Sequence, residues 1–337
     1  MKEAGEQLLE AIAYGDAAGL PVETWTAKDI RQTYGWLDRL EETSVNPFFE
    51  GHYGAGMWSD DTQLSLAVAK ALVAEDGFNI EAQAEEHIRA YDASVLIERN
   101  GARVPRGWGG STVHSVQRLK EGVSPTLSGE NGGAGNGVLM KLAPLALWHA
   151  IRGTEDEERY AQIDALTTMT HKSDEALVTS RVHGDVLHML LQLEAEVSYD
   201  AEELASGIIE RARWHEASLG TAPVCSKALG YLALPYLAYR PQEILKHTDG
   251  KGFYAPQTLA MAYGVFLHNM SDFASMVYTA VNLGGDTDST ASIVAAMTTL
   301  YEKGDVALPQ DAERLYERSM LREVSKQLTG AAMKGII

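Results

Sequence analysis

Apolar residues in this chain recur every three or four positions, segment after segment, and almost nowhere alternate. Thr62–Ala74 sets Leu64, Val68, Ala71 and Leu72 on one helical face. The stretches Glu81–Ile97, Gly137–Ile151, Asp174–Glu194, Ala201–Trp214 and Ser289–Tyr301 repeat the spacing, and the β-branched residues are scattered among Ala, Leu and Glu. The pattern predicts an all-α fold. Glycine clusters at 51–56, 101–110, 129–137 and 284–285 mark turns between the helices. With no low-complexity linker and no solenoid repeat, residues 1–337 read as a single domain.

Charge and cysteine content exclude several classes. The net charge of −19 argues against a nucleic-acid partner, which needs a basic face, and against anionic lipid. Cys225 is the only cysteine, so neither an internal disulfide nor a thiolate metal site is possible. The opening MKEAGEQLLEAIAYGD lacks an apolar signal core, and no stretch reaches membrane-spanning length. The chain reads as cytoplasmic, with no membrane contact.

Two acidic motifs each stand directly before an amphipathic helix: Trp58-Ser59-Asp60-Asp61-Thr62 and Gly284-Gly285-Asp286-Thr287-Asp288-Ser289-Thr290. Helix capping accounts for either one alone, since Ser, Thr and Asp are preferred caps and acids complement the helix dipole. Asp60-x-x-Gln63 even has the form of a capping box. As a pair they are harder to explain, because capping needs one side chain and each motif supplies several oxygens. Carboxylates gathered at one place repel unless a cation or proton intervenes. An all-oxygen set suits Mg²⁺, Mn²⁺ or Ca²⁺, not zinc. If the two helix starts meet, they form a pocket for one or two divalent ions.

Three further features stand out. Gly15-Asp16-Ala17-Ala18-Gly19-Leu20-Pro21-Val22-Glu23 reads by itself as a glycine-terminated helix carrying a surface acid. The loops Arg106-Gly107-Trp108-Gly109-Gly110-Ser111-Thr112 and Gly132-Gly133-Ala134-Gly135-Asn136-Gly137 each feed a helix, whose first N–H groups can hold phosphate without a basic side chain. Trp108 offers a face for a base, or else simply packs; His171 is a capping, packing or binding histidine. HExxH, GxSxG and P-loop signatures are absent.

Taken in order, GDAAGLPVE, WSDDTQLSLAVAKAL, GWGGST, GNGVLMKLAPLAL, THKSDEA and NLGGDTDSTASIVAAM resemble the motifs of the ADP-ribosylglycohydrolase family, which includes the dinitrogenase reductase-activating glycohydrolases. The resemblance implies an all-α orthogonal bundle with a binuclear Mg²⁺ or Mn²⁺ centre. It implies Ser59, Asp60 and Asp61 as one set of ligands and Asp286, Asp288 and Ser289 as the other. Glu23 matches an acid at the mouth of the site. Trp108 lies in the GWGGST motif, and Gly109, Ser111, Thr112, Asn136, Gly137 and His171 fall on motifs that line the ADP-ribose pocket. The Trp108-Gly109-Gly110 loop lacks the acid of many bacterial members and looks closer to the RGYG-type loop of serine-linked hydrolases.

The implied reaction is hydrolysis at C1″ of the distal ribose through an oxocarbenium-like transition state, releasing ADP-ribose from a modified protein. Asp61, Asp288 or Glu23 would move the proton. Arginine is the first acceptor to expect from the bacterial relatives, with serine-linked and O-acetyl-ADP-ribose as alternatives. A non-catalytic ADP-ribose binder, a different di-metal hydrolase and a purely structural protein are the rival readings.

Overall fold

The computed structural model describes residues 1–42, 46, 54–99, 102–193, 200–234, 240–268, 272–304 and 306–334. Among them are fifteen α-helices and two minimal sheets. Leu96–Arg99 pairs antiparallel with Ala102–Pro105, and Glu130–Asn131 pairs parallel with His171–Lys172. The all-α expectation is met. No helix among the described residues is long and apolar enough to cross a membrane.

The opening helix, Lys2–Gly19, is the axis of the fold. From Leu8 to Gly19 every residue is buried, as expected of a helix covered on all sides. It packs between the Thr287–Tyr301 helix and the Arg318–Met333 helix. Its buried Glu10 is neutralised by Arg318 Nε at 2.5 Å and Arg322 Nε at 2.6 Å. A Cβ on Gly15 would lie 2.4 Å from Ala291 O, and one on Gly19 would lie 2.4 Å from Asp288 N and Thr287 O. Backbone therefore touches backbone here, and Thr287 Oγ1 donates to Gly19 O at 2.8 Å. Gly19 does more than end a helix, since it sets the distance between the opening helix and the second acidic motif. Gly19→Ala is expected to destabilise the fold by about 1–3 kcal/mol, the scale of forced overpacking, measurable by urea denaturation.

Most of the expected helices are present with small extensions. The Thr62–Ala74 pattern runs as Asp60–Glu75, Ala201–Trp214 runs on to Leu219, and Ser289–Tyr301 starts at Thr287. Asp174 begins its helix as expected, and the helix ends at Gln192; Glu194 lies outside the described residues. Two expectations are corrected. The helix expected over Glu81–Ile97 spans Ile80–Ala93, where Ser94 Oγ bonds back to Ala90 O, and Ile97 belongs to a strand. The helix expected over Gly137–Ile151 is a short 3₁₀ turn, Asn136–Val138, followed by a helix from Ala143 to Arg152. Pro144 sits in that helix's first turn, where its missing N–H costs nothing. Of the glycine clusters, positions 51–53 and 101 lie outside the described residues.

Candidate active site

The two acidic motifs meet. Asp60 and Asp61 from one helix start, and Asp286, Asp288 and Ser289 from the other, line a single cleft of about 280 Å³. Glu23 and Thr24 complete one wall, and Gly109, Ser111, Thr112, Asn136, Gly137, His171 and Phe253 the others. Three backbone bonds draw these segments together. Thr24 N donates to Gly285 O at 2.8 Å, Gly285 N to Trp25 O at 2.7 Å, and Asp286 N to Lys251 O at 2.6 Å. Gly284 and Gly285 both have positive φ, and a Cβ on either would strike the partner backbone at 2.3–2.5 Å.

Neither motif is spent on capping. Ser59 is the N-cap of its helix and Asp286 of the other, yet neither side chain makes a cap bond. The first helix is capped instead by Asp16, reaching across from the opening helix. Its carboxylate accepts from Ser59 N at 2.8 and 2.9 Å, Thr62 N at 3.0 Å and Thr62 Oγ1 at 2.6 Å. Asp16 is fully buried, which corrects the expectation of a surface acid. Borrowing a cap frees the Ser59, Asp60 and Asp61 side chains for the cleft.

The freed groups are tightly held. Asp61 accepts from Ser292 Oγ at 2.7 Å, Ser289 Oγ at 3.2 Å and Ser59 Oγ at 3.4 Å. Ser59 Oγ also lies 3.3 Å from Asp288 Oδ2, so it bridges the two motifs from behind the cleft floor. Asn136 Nδ2 donates to Asp286 Oδ2 at 2.7 Å. Gly107, at φ +85°, leaves room for Asp60: a Cβ there would lie 2.5 Å from Asp60 Oδ1. Glu23, Asp286 and Asp288 each offer an oxygen within 4.8 Å of the others.

Electrostatically this floor is costly. Asp16, Asp60, Asp61, Asp286 and Asp288 are buried, and among the described residues none of them forms an ion pair with a cationic side chain. Burial first, and then the charge of Asp288, pushes the carboxyls of Asp60, Asp61 and Asp286 well above their ordinary range. Asp16 is pushed up to about 7 for the same two reasons. Burial raises Asp288 as well, and Asp286 and Asp288 share a hydrogen bond between their carboxyls. Asp288 Oδ1 is buried without a hydrogen-bond partner. An orphaned carboxylate oxygen in a nest of carboxylates and serine hydroxyls fits a hard divalent cation, whose place protons take in its absence.

Trp108 is a correction. Its indole is 2% exposed, its Nε1 donates to Gln63 Oε1 at 2.7 Å, and its ring meets Tyr91 edge-on at 5.3 Å. It packs behind the loop and offers no face to a ligand. The aromatic ring at the cleft is Phe253, 41% exposed, which sequence reasoning missed. It stands in the unremarkable Lys251-Gly252-Phe253-Tyr254, and bonds from Asn136 N to Phe253 O and from Asn136 Nδ2 to Gly252 O bring it to the site. Asp16 was visible within its motif, but nothing local showed that it would be buried under Ser59.

An all-helical fold with a carboxylate-floored polar cleft between two helix starts is suited to hydrolysis, and the family match makes the bond a glycosyl one. The chain belongs to the ADP-ribosylglycohydrolase family, whose profile matches residues 8–335. It is 24% identical to the ADP-ribosylhydrolase ARH3 of Bos taurus, over 85% of this chain and 81% of that one. It is also 24% identical to the ADP-ribosylarginine hydrolase Tri1 of Pseudomonas putida, over 84% of this chain and 66% of that one. A solved chain of an ADP-ribosylglycohydrolase-related protein complex shares the fold, with TM-score 0.71 and 23% identity over 99% of this chain and 100% of that one.

Proposed function

We propose that this chain, acting as one cytoplasmic catalytic domain, hydrolyses the C1″ glycosidic bond of ADP-ribose attached to protein arginine and requires Mg²⁺ or Mn²⁺. The observation that carries this reading is the convergence of Asp60 and Asp61 with Asp286 and Asp288 under Glu23, with Asp288 Oδ1 left unpartnered. Ser59, Asp60, Asp61, Asp286, Asp288 and Ser289 are the residues that would hold a pair of divalent cations. When bound, the cations supply Lewis-acid charge that grips ribose hydroxyls and acidifies water.

The chain's own groups do the rest. In an acidic protein, an anionic ligand needs local donors. The Gly110–Lys120 helix supplies them: its N-cap is Gly109, no side chain caps it, and Gly110, Ser111 and Thr112 at its first turn line the cleft. Their N–H groups and the positive end of the helix dipole suit a pyrophosphate. The distal ribose then lies over the acids, and the adenine at the rim against Phe253. Buried carboxylates beside C1″ stabilise the oxocarbenium charge. Asp61 is held by the Ser292 and Ser289 hydroxyls and by a Ser59 hydroxyl shared with Asp288, which makes it a fixed anchor. Glu23, at the rim, is the group placed to move a proton to or from the leaving atom.

Arginine is favoured over serine because a carboxylate at the mouth pairs naturally with a guanidinium. The name of the Pseudomonas putida relative points the same way. The second reading, a serine-linked acceptor, rests on the acid-free Arg106-Gly107-Trp108-Gly109 loop. A panel of arginine-linked, serine-linked and O-acetyl ADP-ribose substrates, each with Mg²⁺, separates them. Arginine-linked substrate is expected to turn over at least about tenfold faster, which corresponds to one charge-assisted contact. Preference for the serine-linked substrate would replace the arginine assignment.

A further inference from the structure

Behind the cleft wall lies a lysine with no acid to answer it, and burial lowers its pKa to about 7. Lys141 is fully buried, and among the described residues no carboxylate pairs with it. Its Nζ donates to Thr170 Oγ1 at 3.1 Å. The same hydroxyl lies 2.9 Å from His171 Nδ1, and 3.4 Å from Thr167 O. His171 is 2% exposed and lines the cleft. Among the described residues its Nε2 has no hydrogen-bond partner. Two glycines stand beside that edge of the ring: a Cβ on Gly137 would come 3.3 Å from Cε1, and one on Gly135 would come 3.5 Å from Nε2.

We propose that Lys141 and Thr170 are positioning residues that lock His171 in its Nε2–H tautomer, so that the ring donates a hydrogen bond into the cleft toward an anionic oxygen of the ligand. The proton count fixes the direction. Below about pH 7 Lys141 is an ammonium with only donors, so Thr170 Oγ1 accepts from it. The hydroxyl's single proton then goes to the nearer acceptor, His171 Nδ1, and not to the more distant Thr167 O. The ammonium also polarises that O–H and disfavours a second N–H dipole pointing at the same oxygen. His171 Nδ1 is thus an acceptor, and its proton sits on Nε2. Burial, then the charge of Lys141, holds the imidazole down to about 3, so the ring is neutral at working pH. The strand pairing of His171–Lys172 with Glu130–Asn131, and the bond from Ser115 Oγ to Thr170 O at 2.8 Å, keep the relay in place.

The tautomer stands on the relay alone; its use for an anionic ligand rests on the function proposed above. The test is a two-bond ¹H–¹⁵N correlation of histidine-labelled protein at pH 6, where Lys141 is charged and His171 neutral, with His171 assigned through His171→Gln. Wild type and Thr170→Ser are expected to carry the proton on Nε2, whereas Thr170→Val and Lys141→Met lose that preference. By calorimetry, Thr170→Val is expected to bind ADP-ribose about tenfold more weakly, the scale of one hydrogen bond to a charged oxygen, with Thr170→Ser within about twofold of wild type. A wild-type His171 protonated on Nδ1 overturns the inference, as does a Thr170→Val variant unchanged in both tautomer and affinity. If wild type shows Nε2–H but binds no ADP-ribose, the lock stands and the ligand assignment falls.

Discussion

Asp288→Asn is expected to reduce turnover by at least about 10²–10⁴-fold while the helical fold survives. Asp288 is the hub of the cluster. Its charge raises the carboxyls of Asp16, Asp60, Asp61 and Asp286, and it touches both Ser59 and Asp286. Asparagine keeps the shape but removes the charge a cation and an oxocarbenium ion both need. Because that charge repels its neighbours, the variant without added cations is expected to melt at or above the wild type, the signature of a residue kept for chemistry against stability. Asp61→Ala is expected to lose turnover similarly. Asp16→Ala should behave differently and lose both stability and activity, because it removes the cap that frees the Asp60 helix start. Circular dichroism, thermal melts and single-substrate kinetics on the three variants check this. An Asp288→Asn enzyme with most of its activity would remove the assignment.

Stripping divalent cations with EDTA is expected to abolish turnover, and Mg²⁺ or Mn²⁺ to restore it. The same treatment should lower the melting temperature, and more so at pH 8 than at pH 5. The sign follows from the buried acids. Their folded pKa values lie above the unfolded value of 3.8, with Asp16 near 7. The metal-free folded state therefore binds more protons than the unfolded chain across this window, and its stability falls as pH rises from about 4 through 7. Cations that replace those protons restore most where the protons have left. Saturation at a hundredfold excess over Kd is worth about 2.7 kcal/mol. Equal stabilisation by Mn²⁺ at pH 5 and pH 8 would mean that protons and cations do not compete for the same oxygens.

Much of this was legible in the sequence because the signals are local. Helix periodicity around Leu64, Val68 and Leu72 needs only neighbours three and four residues away, and both acidic motifs announce themselves by composition. What was not legible depends on partners far along the chain. Asp16 looked like a surface acid because Ser59 and Thr62, whose N–H groups it accepts, lie more than forty residues on. Trp108 could be read as a face for a base or as a packing residue; the deciding partner, Gln63, belongs to another helix. Phe253 carries no motif and enters the cleft through backbone pairing with Asn136. The break before Ala143 could have been read, since Pro144 marks a helix start as well as a stop. The end of the Ile80 helix at Ala93 could not, since the apolar spacing runs on through Val95 and Ile97 into a strand.

The most direct test is a crystal grown with Mn²⁺ and ADP-ribose, measured at the manganese absorption edge. The account predicts two anomalous peaks held by oxygens of Ser59, Asp60, Asp61, Asp286, Asp288 and Ser289, with the distal ribose against them. A fully bound ADP-ribose with no manganese at these residues, or manganese bound elsewhere while this cluster stays protonated and empty, would contradict it.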